Sequence, residues 1–102
     1  MSVQLEEVGV TADLTLLVTR DDQGTLEGGA LDRVTAVDAV TDVEHVDVTG
    51  VRPRLNDLAV EAAVDLTVAV DPTARDAESA AVEALEEGFG VTVEALAVSA
   101  NA

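Results

Sequence analysis

From Leu58 to Val70 every even position is apolar: Leu58, Val60, Ala62, Val64, Leu66, Val68 and Val70. The odd positions between them include Glu61, Asp65 and Thr67. Strict alternation over this length is the signature of a strand with one face buried and the other wet. No helix accommodates it, because a 3.6-residue period would scatter the same valines around the axis. A second run repeats the pattern, with Val10, Ala12, Leu14, Leu16 and Val18 on one side and Thr11, Asp13, Thr15 and Leu17 on the other. The phase of this run breaks near Glu6-Glu7, which predicts a bulged or loose extension over residues 1–9.

Between the two runs, Leu31, Val34, Val37 and Val40 recur every third residue, a sloping apolar stripe that predicts a helix over residues 30–41. Gly28-Gly29 sits poorly inside a helix, so the helix is expected to begin just after it. From Glu44 the spacing moves towards alternation (Val46, Val48), which predicts a short strand ending near Val51. Beyond the long strand, Asp71-Pro72-Thr73 is a helix entry, with Thr73 and Asp76 at capping-box spacing. Ala74, Ala77, Ala80, Ala81, Ala84 and Leu85 share a face of that helix, and Gly88 is a natural stop. Val91–Val98 supplies a last strand, and 99–102 a tail.

The order β-α-β-β-α-β predicts an α+β fold of the ferredoxin-like kind: a four-stranded antiparallel sheet with two helices on one face. Its 102 residues suffice for one small domain and no more, so 1–102 is read as a single unit. The alanine-rich second helix permits close approach to the sheet, at the cost of a thin core.

Composition bears on solvent and chemistry. The chain holds 21 acidic and five basic residues, all five of them arginine, for a net charge of −16. Residues 1–51 carry 11 acids and residues 52–102 carry ten, so the charge marks no tail. Such a surface repels itself at low ionic strength, whereas at molar salt the Debye length shrinks to about 3 Å. Acidity without lysine, and valine and alanine in place of isoleucine and aromatics, resembles the proteins of salt-accumulating haloarchaea. No basic and apolar leader is present at the N-terminus, and no run of about 18 apolar residues occurs, which predicts a cytoplasmic chain with no membrane span.

Several chemistries lack their residues. Without cysteine there are no disulfides, thiol nucleophiles or zinc thiolates. One histidine, His45, completes neither a Ser-His-Asp triad nor a two-histidine metal set. In Asp42–Asp47, a strand would place His45 and Asp47 on one face and Glu44 on the other, and two ligands make a poor site. Asp21-Asp22-Gln23-Gly24 fails the calcium-loop spacing. Gly24, Gly28 and Gly29 match neither phosphate-loop pattern, and Asp32 in the first turn of the expected helix would oppose an anion there. Paired carboxylates abound, so no pair is distinctive. Neither a catalytic set, a metal site nor a cofactor is therefore expected. Nucleic acid is disfavoured by the missing basic patch and by a single aromatic residue, Phe89.

The arginines are few enough to be informative. The expected topology brings Arg20, Arg33, Arg52 and Arg54 to one end of the sheet, around the stiff Arg52-Pro53-Arg54 turn. Asp21, Asp22, Glu27, Asp32 and Asp57 are expected at the same end, and five acids against four arginines favour internal pairing. The uncovered sheet face, with Thr11, Asp13, Thr15 and Thr19 beside Ala59, Glu61, Ala63, Asp65, Thr67 and Ala69, is small-sided and free of aromatics. The first functional expectation is an interaction or regulatory domain of a halophile, without catalysis, that meets a protein partner or a second copy through this face, or a partner's acidic surface through the arginine end. The alternative is a module that binds an anionic small ligand at the arginine end. A third reading is an enzyme subunit with a carboxylate site at a subunit boundary.

Overall fold

In the computed structural model, which describes residues 5–19, 25–71 and 76–99, the chain forms an α+β fold with one four-stranded antiparallel sheet and two helices. The elements are β1 (Glu6–Thr19), α1 (Leu26–Thr35), β2 (Val40–Pro53), β3 (Asp57–Val70), α2 (Ala77–Glu86) and β4 (Val91–Val98). The strand order is β2-β3-β1-β4. No helix among the described residues is long and apolar enough to cross a membrane.

The two alternating runs become the central strands. β1 and β3 pair without interruption from Glu6↔Val70 to Thr19↔Asp57. Their even side chains, from Val8 to Val18 and from Val60 to Val70, are buried. Ala30, Val34, Ala81 and Leu85 of the two helices join the same core. Of residues 1–9, expected to be loose or bulged, 1–4 lie outside the described residues and 6–9 are instead regular strand, because β3 is long enough to pair with all of them and Val8 is buried at 4% exposure. Glu6 breaks the apolar phase only because it stands at the sheet's end, where it is exposed.

The edge strands solve a different problem. In β2 the valines facing core positions of β3 are Val40, Val43, Val46, Val48 and Val51, opposite Val68, Leu66, Val64, Ala62 and Val60. A flat strand turns every third residue to the wrong side. The register shifts at Val40/Asp42, Val43/His45 and Val48/Gly50, once within each three-residue step. Each β-bulge thus inserts the residue that returns the next valine to the core side. In β4, Val93 and Leu96 are also three apart and face Leu14 and Ala12, with a shift at Asp13/Leu14.

Both helices begin elsewhere than expected. α1 starts before the glycine pair, because Thr25 caps it by accepting from the Gly28 amide at 2.9 Å. Gly28 and Gly29 then lie in its first turns, and Gly29 is buried. The helix ends at Thr35, not near residue 41. Val37 reaches the core from the turn that follows, and Val40 already belongs to β2. Leu31, expected on the core stripe, is exposed; Ala30 and Val34, four apart, do that work. α2 is capped by Asp76, which accepts from the Ser79 amide at 2.6 Å, rather than by Thr73. Residues 72–75, including Thr73 and Ala74, lie outside the described residues, and Ala77 is exposed.

The helix-stop glycine also has a different role. Gly88 follows the last turn without a left-handed backbone, and the positive φ (73°) belongs to Gly90. A Cβ on Gly88 would lie 2.5 Å from Val37 Cγ2. Gly88 is therefore needed for close approach: it lets the C-terminal end of α2 meet the turn after α1.

Candidate functional site

Three of the four singled-out arginines fall within the described residues; Arg20 lies outside them. Arg52, on β2, stands opposite Ala59, and Leu17 of β1 stands opposite the same Ala59 from the other side. Two strand spacings, roughly 10 Å, separate Arg52 and Leu17. Arg33 projects from the last turn of α1, and its Nε donates to the Leu17 carbonyl at 2.8 Å. Arg54 follows β2, where its amide donates to the Asp57 carbonyl at 2.9 Å. Arg52, Arg54 and the anchor point of Arg33 thus belong to the same end of the sheet.

Their partners differ. Arg52 meets Glu61 at 3.6 Å and Arg54 meets Asp57 at 3.3 Å. The first pair is exposed and the second has a half-buried Asp57, and both are surface pairs of the kind worth about 0–1 kcal/mol. Arg33 has no carboxylate partner among the described residues. It stacks instead on Phe89, with its guanidinium carbon 5.4 Å from the ring centroid. Of the five acids expected to answer the arginines, Asp57 does so, Glu27 and Asp32 are not their partners, and Asp21 and Asp22 lie outside the described residues. Glu61 takes the remaining place, reached across the strands from Arg52 rather than along the sequence. The Arg33–Phe89 contact lies outside what the sequence predicts. Its only sequence signal is an aromatic residue held between two glycines in a chain with no other.

The uncovered sheet face is a second candidate. Thr11 donates to Asp65 at 2.8 Å, and Thr15 donates to Glu94 at 3.0 Å. A shallow depression of about 410 Å³ lies among Asp13, Thr15, Thr49, Arg52, Glu61 and Glu94. Alanines at 59, 63 and 69 of β3 and at 95 and 97 of β4 complete a low surface. His45 and Asp47, opposite Asp65 and Ala63, are both exposed. Among the described residues no three histidine, aspartate or glutamate side chains are grouped as a metal site.

The N-terminus of α1 is poorly suited to an anion. Its Gly28 amide is already taken by Thr25, and the acid in its first turn is Glu27, whereas Asp32 lies further along the helix. A cavity of about 460 Å³ opens there against β2, and Glu27, Glu44 and Asp47 line it. Their charge opposes the helix dipole's preference for an anion. A third hollow, about 280 Å³, lies where the C-terminal ends of α1 and α2 meet, with Phe89 on its rim. No family model, curated protein or solved structure matches the chain.

Proposed function

We propose that the chain is a ferredoxin-like interaction domain of a salt-accumulating cytoplasm, and that it works by protein contact through its uncovered sheet face, without catalysis. The observation that carries this reading is the construction of that face. Cross-strand hydrogen bonds from Thr11 to Asp65 and from Thr15 to Glu94 hold its polar side chains, and small alanines lie between them. A face already ordered in this way loses little side-chain entropy on docking. The even distribution of the acids fits a role in solvation at high salt more than recognition of one ligand. The strand order β2-β3-β1-β4 with helices after the first and third strands supports the ferredoxin-like assignment.

The anion-binding alternative has less to draw on, since the guanidinium groups of Arg52 and Arg54 are engaged by Glu61 and Asp57. The test uses two substitutions on the flat face, Ala63→Arg and Ala95→Arg, in protein cross-linked to its partners in about 3 M KCl. Contact through the face predicts that both variants keep the wild-type circular dichroism and lose the same cross-linked species. Retention of every cross-link in both variants sinks the proposal.

A further inference from the structure

Phe89 is the chain's only aromatic residue and it is 81% exposed, in a protein whose core otherwise collects nearly every large apolar side chain of its strands. It is not loosely placed. Gly90, with φ 73°, fixes the turn, and the Leu17 amide donates to the Gly90 carbonyl at 2.9 Å. Arg33 holds the other side of the ring while its Nε bonds the Leu17 carbonyl. An exposed aromatic ring stacked on a half-buried arginine has the composition of an interface anchor.

Beside this knob lies a hole. The hollow between the helix ends has Val37, Ala39, Ala84, Gly88 and Phe89 itself in its wall and Asp38 and Glu87 at its polar side, within about 280 Å³. Two helix C-termini end here, and each carries partial negative charge that adds to the two carboxylates. The negative charge of the hollow favours a cationic group, and its small apolar wall admits a ring beside that group, which is what Arg33 and Phe89 present. An isologous contact requires knob and hole in the same patch, so that each copy fills the other.

We infer that two copies of this chain pair about a two-fold axis through this patch, each inserting Phe89 into the partner copy's hollow. Arg33 of each copy then faces Asp38 and Glu87 of the other. The contact is separate from the uncovered sheet face and does not depend on it. A net charge of −16 on each copy opposes pairing in dilute salt, and molar salt removes most of that opposition.

Sedimentation equilibrium in about 3 M KCl reads the dimer directly, with its dissociation rising as the salt is lowered. Phe89→Ala is expected to weaken the dimer by at least about 30-fold, the loss typical of an anchor residue. Glu87→Arg, which sets arginine against the other copy's Arg33, is expected to weaken it by about tenfold or more. Both residues are exposed, so the folded circular dichroism should persist. Ala63→Arg on the open sheet face should leave the dimer intact. A wild-type chain that stays monomeric at about millimolar concentration overturns the inference. A dimer unaffected by both Phe89→Ala and Glu87→Arg overturns it equally.

Discussion

The central and edge strands of this sheet obey different rules, although all four are rich in valine. β1 and β3 hold one register over their whole length, with every even side chain from Val8 to Val18 and from Val60 to Val70 in the core. β2 changes register three times and β4 once. The difference follows from position. A central strand is hydrogen-bonded on both sides, so an extra residue disrupts two ladders. An edge strand has one ladder, and a bulge there also twists the free edge away from pairing with another chain. The edges thus tolerate irregular apolar spacing and gain protection from it.

The largest test of this contrast is one extra residue in the centre. An alanine inserted between Ala63 and Val64 turns the remainder of β3 over, carrying Val64, Leu66, Val68 and Val70 from the core to solvent. Loss of the folded circular dichroism signal is expected even at molar salt, since a small domain has only about 5–15 kcal/mol to lose. A cooperatively folded insertion variant would show that the centre is as permissive as the edges.

Truncation is milder. Leu14, 1% exposed on β1, stands in the core between Ala62 of β3 and Val93 of β4. Leu14→Ala should cost about 2–5 kcal/mol in denaturant unfolding, because the small alanines nearby leave little to fill the cavity. Its neighbour Thr15 points to the uncovered face, so Thr15→Val should change stability by no more than about 0.5 kcal/mol. If the two substitutions cost the same, the faces of β1 are not as distinct as their burial.

Much of this was legible in the sequence, and for a physical reason. Period-two alternation has one structural reading when it persists, so β1 and β3 were plain, and the order of elements followed. The three-residue step was ambiguous. Leu31, Val34, Val37 and Val40 read as a helical stripe, yet the same step continues through Val43 and Val46 inside a strand. Bulges make a strand imitate a helix, and nothing local marks the change. Capping was similarly underdetermined: Thr25 caps α1 although two glycines follow in its first turns, each costing about 1 kcal/mol in a helix. Of the candidate site, the direction of Arg52 and Arg54 could be read from topology. Their partners and the stacking of Arg33 on Phe89 depend on distances across the fold that the sequence does not encode locally.

Charge refines the same contrast. Asp13, on a central strand, has Asp65 and Glu61 as diagonal neighbours across β3. At the diagonal separation of about 7–8 Å, each pair repels by about 0.5 kcal/mol in water. Asp13→Asn should therefore stabilise the protein by about 1 kcal/mol in dilute buffer and have almost no effect at molar salt. Unfolding midpoints measured at the two salt concentrations check the sign. A stabilisation that survives molar salt would mean that charge is not its source.

The smallest expected effect is the most pointed. Glu44 is the extra residue of the second bulge in β2, between Val43 opposite Leu66 and His45 opposite Asp65. Deleting it sets Val43 and Val46 two apart, which a flat strand accepts without turning either valine outward. Glu44 is exposed, so the deletion removes no core contact. The unfolding free energy should stay within about 1 kcal/mol of wild type, in the range of surface changes that touch no special feature. Hydrogen exchange should still find β2 protected on its β3 side. A deletion as destructive as the insertion in β3 would mean that the bulge is required by the fold, not merely accommodated at its edge.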